Sequence, residues 1–145
     1  MTLKSRGSGQ IPLFVRVVWE LFRYDIVLAV SGFPGIYKGL NRKIGGQIIP
    51  DGLESAICRA VDIVSSCYWK RVLCLERSVI AARVMHAYGI AGEVVIGYGF
   101  APFVSHAWVE VGGRVVNDRT GYPARLQVLD RIRPQLASAR LALQN

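Results

Sequence analysis

CLERSVIAARVMHAYGIAGEVVIGYG, residues 74–99, changes its periodicity partway. From Cys74 to Tyr88 apolar residues recur at helical spacing, with Leu75, Val79, Ala82 and Met85 on one face. Gly89 follows at the position where helices commonly close in a left-handed conformation. His86, one turn before that end, sits where a cation is favoured and reads as a surface or end-of-helix histidine, not a catalytic one. GEVVIGYG (92–99) is then short and β-branched, which predicts a strand. A helix that opens on a cysteine and runs into a sheet sets the question for the rest of the chain: is that thiol packing material or a nucleophile?

Residues 1–10 are polar and hold glycine and serine, as a flexible tail would. From Pro12 to about Val30 the apolar spacing is again helical, and Pro12 suits a first turn. SGFPG (31–35) breaks this helix, with a short second helix expected over 35–41 and a loop or short extended piece over 42–50. In DGLESAICRAVDIVSSCYW (51–69), Asp51 and Glu54 have capping-box spacing, and Leu53, Ile57, Ala60, Val61, Val64 and Tyr68 share a face. Cys58 and Cys67 in this helix read as small buried hydrophobes. SHAWVEVGGRVVND (105–118) is two alternating runs around Gly112-Gly113, hence a hairpin. The tail, 125–145, reads as a helix interrupted at Pro134. Helices first and strands after predict an α+β domain, with N-terminal helices on a small antiparallel sheet. No repeat or long linker divides the chain, so 11–145 is expected to be one domain, with 11–50 its helical extension.

Composition narrows the function. With 145 residues, 52% of them apolar, the chain can bury a real core and is not globally disordered. A net charge of +8 permits an acidic partner, but no dense basic run is interleaved with aromatics, so nucleic acid is not expected. Three cysteines without a CxxC pair argue against a disulfide framework and a zinc site, and suit a reducing cytosol. The N-terminus lacks the apolar stretch of a signal peptide, and the uncharged run 26–37, broken by Ser31, Gly32, Pro34 and Gly35, is too short to span a bilayer. Peripheral membrane contact through the apolar first helix is left open but not predicted. GSGQ (7–10) lacks the strand, lysine and hydroxyl context of a phosphate loop, so neither nucleotide nor metal is expected as a cofactor.

A thiol attacks as thiolate, and the free backbone N–H groups of a helix N-terminus stabilise negative charge. Cys74 occupies such a place. A nucleophilic cysteine needs a histidine to take its proton, and a carboxylate or amide to orient that histidine. His106 begins one hairpin strand and Asp118 ends the other. Their contact depends on the turn. A two-residue turn pairs Val111 with Arg114 and sets Asp118 opposite Ala107, on the wrong face. A three-residue loop pairs Glu110 with Arg114 and sets His106 opposite Asp118. The second register is the one expected for a His–Asp contact. Against this stands the plain alternative of a strand histidine and a turn aspartate.

The combined run CLERSVIAARVMHAYGIAGEVVIGYG…PFVSHAWVEVGGRVVND resembles the transglutaminase-like cysteine peptidases of lasso-peptide biosynthesis, the leader peptidases related to the C-terminal domain of the microcin-processing protein. The likeness is strong over 71–118 and fainter in YDIVLAVSGFPGIYKGL and CRAVDIVSSCYWKRVLC. It implies a papain-like mechanism with Cys74 as nucleophile, His106 as proton shuttle and Asp118 as its orienter. It implies a precursor peptide as substrate, cut between leader and core to free the amine that a separate ATP-dependent cyclase uses. A fused leader-binding domain is not expected, because only about fifty residues, helical in pattern, precede Asp51. A standalone cytoplasmic peptidase with a separate leader-recognition protein is the arrangement implied. Arg77, in the motif, is a candidate substrate anchor or ion-pair partner; Ser78 reads as packing. Trp108, on the face of His106, either shields the site or fills the core. Tyr98, Phe100 and Phe103 are candidates to line the substrate groove. The backbone N–H of Cys74 is the candidate oxyanion donor. An acyl transferase with the same triad, and a non-catalytic scaffold, are the competing readings.

Overall fold

The computed structural model describes residues 10–45, 48–118 and 121–136. Three helices come first: α1 (Gln10–Leu40), α2 (Leu53–Cys67) and α3 (Cys74–Ala87). A four-stranded antiparallel sheet follows, of β2 (Glu93–Gly99), β3 (Val104–Val111), β4 (Arg114–Val115) and β5 (Gln127–Ile132), in the order β4-β3-β2-β5. Two short strands, β1 (Lys43–Ile44) and β6 (Gln135–Leu136), pair in parallel apart from it. The α+β architecture is the one the element order predicts.

α1 carries Pro12 in its first turn and bends at Gly32, whose φ of 63° and ψ of −160° interrupt the helix where SGFPG was expected to break it. Its inner face, Leu13, Val17, Leu21 and Tyr24, is buried at helical spacing. α2 turns Ile57, Ala60, Val61 and Val64 inward. α3 lies between these helices and the sheet and is buried on almost every side, from Ser78 to His86 apart from Arg83. The core continues into the sheet through Val94, Val109 and Ile132. Arg83 of α3 joins both halves of α1: its Nε donates to Glu20 at 2.7 Å and an Nη donates to the Gly39 carbonyl at 3.0 Å. Among the described residues no helix is long and apolar enough to cross a membrane.

Several expectations need correction. Asp51 does not cap α2. Left-handed Gly52 takes the cap position with no side-chain bond, and Glu54 is drawn off to Arg114 at 2.8 Å. Cys58 is buried as expected, but Cys67, the last residue of α2, is exposed. The tail is no helix as far as Leu136: 127–132 is the edge strand β5, paired antiparallel with β2, and Pro134 separates it from β6. Residues 137–145 lie outside the described residues, as do 1–9 of the tail expected at the N-terminus; Gln10 already opens α1.

His86 is the other departure. It ends α3 as foreseen but is buried, and its Nε2–H donates to the Gly92 carbonyl at 2.6 Å, closing the turn into β2. Burial first, and nearby Arg83 and Arg42 after it, hold its pKa below the usual histidine value against the opposing effect of that hydrogen bond. A group with a depressed basic pKa stays neutral in the fold while the unfolded chain takes up a proton. Its contribution is therefore intact above the unfolded value of about 6.5 and is lost as pH falls below it. Melting temperature is expected to drop between pH 7 and pH 5, and His86→Gln to flatten that slope; an unchanged slope in the variant would assign the acid sensitivity elsewhere.

Candidate active site

α3 begins at Cys74. Its neighbour Leu73 is extended and leads the helix in, and the first intrahelical bond runs from the Arg77 amide to the Leu73 carbonyl at 2.9 Å. The amides of the first turn, that of Cys74 included, therefore precede the helical ladder and point outward at the helix start. The thiol is half-buried.

α3 is pinned to the hairpin one turn past its start. Ser78, one turn beyond the cysteine and fully buried, donates to the Ala107 carbonyl at 3.0 Å, next in chain to His106. It thus does more than pack. Asn117, two residues past the end of β4, spans the two: its Oδ1 accepts from the Val109 amide at 2.6 Å and its Nδ2 donates to Ser78 Oγ at 3.2 Å. Nothing in the sequence pattern singles out Asn117, because its partners lie 8 and 39 residues away.

The hairpin register is not the one expected. Val111 pairs with Arg114 and Glu110 with Val115, so the turn has two residues. Gly112 and Gly113 both have positive φ, 58° and 78°, as a tight hairpin turn of the type I′ class requires. This is the register that was expected to carry Asp118 away from His106. Yet His106 Nε2 is hydrogen-bonded to Asp118 Oδ2. The reason is that β4 stops at Val115. After the Val116 amide bonds to the Val109 carbonyl at 3.0 Å, the Asn117 side chain takes over the ladder, and Asp118 turns across to the histidine.

Around this pair, alternation along β3 puts His106, Trp108 and Glu110 on one face, with Val109 and Val111 facing the helix-packed core. The His106 and Trp108 rings stack with centroids 6.3 Å apart. Trp108 is buried and donates to Glu110 at 2.9 Å, so its role is packing beside the histidine. Burial pushes the Glu110 carboxyl up, but Arg131 and Trp108 outweigh it and leave its pKa below the usual range. Tyr122, which sequence reasoning missed, meets the His106 ring edge-on at 5.1 Å. Arg77 reaches Asp62 at 3.7 Å, an ion pair with both side chains partly exposed. The Asp62 carboxyl is raised by burial first, lowered by Arg77 and raised again by Asp118, which sets the first turn of α3 and Asp118 in one electrostatic neighbourhood. Phe100 and Phe103 are exposed in the turn between β2 and β3 and touch each other, while Tyr98 bonds to Gln127.

The structure thus joins His106 to Asp118 and anchors α3 beside them; no hydrogen bond links the Cys74 sulfur to His106. Among the described residues no cluster of histidine, cysteine, aspartate or glutamate could hold a metal ion. Removing the Asn117 side chain should loosen this end of the hairpin. Asn117→Ala leaves a buried amide and a buried hydroxyl short of partners, at about 1–3 kcal/mol. Thermal denaturation checks this value, with Ser78→Ala as the companion from the other end of the same contact.

The sequence that builds this arrangement has relatives among known proteins. The chain is 41% identical over 59 residues to the microcin J25-processing protein McjB of Escherichia coli, a stretch that is 41% of this chain and 28% of that protein. This supports the relation read from the motifs. No solved structure matches the chain. A family model described as the transglutaminase-like superfamily matches residues 21–131, from the middle of α1 through β5, and so takes in Cys74, His106 and Asp118: the chain belongs to the transglutaminase-like superfamily.

Proposed function

We propose that this protein is a cysteine endopeptidase that removes the leader from a ribosomally made lasso-peptide precursor. The observation that carries the reading is the His106–Asp118 hydrogen bond at the end of the hairpin to which Ser78, one turn past Cys74, ties α3. Since Nε2 is taken by Asp118, Nδ1 is the nitrogen left to serve the thiol. Cys74 Sγ would attack the scissile carbonyl while its proton passes to Nδ1. The imidazolium would protonate the departing amine, leaving a thioester to the leader. Water, deprotonated by Nδ1, would then release the leader as a carboxylic acid and restore the thiol. The Cys74 amide, unclaimed by the helix ladder, is the donor offered to the oxyanion. Catalytic hydrogen bonds often tighten only once substrate is bound, which is when the Cys74–Nδ1 contact would be needed.

The relative's printed role, processing of a microcin, supports a peptide precursor as substrate. Its partners would be a separate leader-recognition protein and an ATP-dependent cyclase that consumes the freed amine, all in the cytoplasm. The superfamily's name keeps a second outcome in view, resolution of the thioester by an amine in place of water. The test is to mix protein, precursor and the leader-binding protein, with and without a small primary amine, and read masses. Leader and core of hydrolytic mass support the peptidase. An amine adduct on the leader in place of the acid supports acyl transfer. An intact precursor with every partner present overturns both.

A further inference from the structure

The outer face of α1 is unlike any other surface here. Val15, Val18, Trp19, Phe22, Ile26 and Val30 stand 47–80% exposed. At 100° per residue they form one stripe, opposite the buried row of Leu13, Val17, Leu21 and Tyr24, and they extend about 23 Å along the axis. Patches of this size on a soluble surface mark an interaction site.

The charges beside the stripe say what covers it. α1 has two carboxylates, and both are used inside the protein. Glu20 is buried against Arg83, and Asp25 is held by Lys70 at 2.6 Å and by the Tyr68 hydroxyl at 2.9 Å. The cations are left outside. Arg16 and Arg23, seven residues apart, line one edge of the stripe; Arg16 keeps only a 3.9 Å approach to the already engaged Glu20, and Arg23 has no ion pair among the described residues. A second copy would set the same arginines against each other, on chains that each carry +8. An apolar stripe with an indole, a phenyl ring and flanking arginines fits an anionic phospholipid surface, where a helix lies in the interface with its apolar face among the acyl chains. No described helix can cross a bilayer, so the geometry is that of lying on it.

We propose that α1 docks this protein, through the Val15–Val30 face, on anionic phospholipid membranes. Trp19 is the built-in reporter, because Trp108 is buried and Trp69 can be replaced by phenylalanine. The full chain carrying Trp69→Phe is mixed with vesicles of phosphatidylcholine, with or without phosphatidylglycerol, and followed by co-sedimentation and tryptophan emission. Binding to the anionic vesicles with a blue shift is expected. The triple variant Val18→Ser, Phe22→Ser, Ile26→Ser should weaken it by about a hundredfold or more. Arg16→Glu with Arg23→Glu should keep the stripe and cut the preference for anionic lipid by about tenfold. Circular dichroism confirms that each variant folds, and the charge variant decides alone if the triple does not. No binding, equal binding to both vesicles, or a partition unmoved by the variants would overturn the proposal. So would a dimer in solution that the triple variant splits, since the face would then belong to a second copy.

Discussion

Cys74→Ala is expected to leave the precursor whole, with cleavage reduced by about ten-thousandfold or more. The fold should hardly notice, because the side chain is small, half-buried and first in its helix. That split between activity and stability distinguishes a nucleophile from packing material. The two other cysteines provide internal controls. Burial, with Asp62 and Glu54 adding to it, pushes the Cys58 thiol up to about 12, so it should resist alkylation at neutral pH. Cys67 is exposed and should alkylate without any loss of activity. Mapping iodoacetamide adducts by mass while following cleavage should tie inactivation to Cys74 alone. A Cys74→Ala protein that cuts like the native one would remove this residue from the chemistry.

Gly97→Val should be the most damaging single substitution in the sheet. Gly97 pairs with His106 across β2 and β3, and the indole of Trp108 lies over it. A Cβ there would meet two Trp108 ring carbons at 2.7 and 2.8 Å and the Gln127 carbonyl at 3.1 Å. The ring is buried and bonded to Glu110, so it has nowhere to retreat. Overpacking of this kind costs about 3 kcal/mol, or about 10 °C in melting temperature. Activity should fall further than stability, because displacing Trp108 also displaces the His106 ring stacked on it. Gly99→Ala is the comparison: its Cβ meets only the ends of the Leu126 and Val104 side chains, at 3.1 and 3.4 Å, and those can shift. Equal losses for the two variants would contradict this account.

Elements whose signal is local were legible in the sequence. The start of α3 at Cys74, its end at Gly89 and the strand after it rest on spacing and one left-handed glycine, and all three stand. The hairpin register failed for a different reason. The Gly112-Gly113 pair signals a two-residue turn, whereas a His106–Asp118 contact inside the ladder requires the longer loop. The chain achieves that contact by leaving the ladder after Val115, which no pairing rule anticipates. β5 was hidden because its face is nearly all exposed and its Arg131 is satisfied by Glu93 and Glu110, each at 2.8 Å, from strands far away in sequence. The Asp51 cap failed similarly: Glu54 is claimed by Arg114, sixty residues on. Tyr122 and Asn117 were invisible because their value lies wholly in what the fold sets beside them.

The burial of α3 on nearly all sides has a consequence for variation. A helix on a surface tolerates change on its wet side, so a saturation scan across it gives a ripple with the helical period. Across Ser78–His86 the ripple should vanish into one unbroken block of intolerance, in which even Arg83, the one residue not fully buried, has its guanidinium tied to α1. Any drift in α3 would therefore have to be matched in its neighbours α1, α2, β2 and β3 together. Its sequence should diverge in concert with theirs, slowly, while the outer surface of the molecule changes freely.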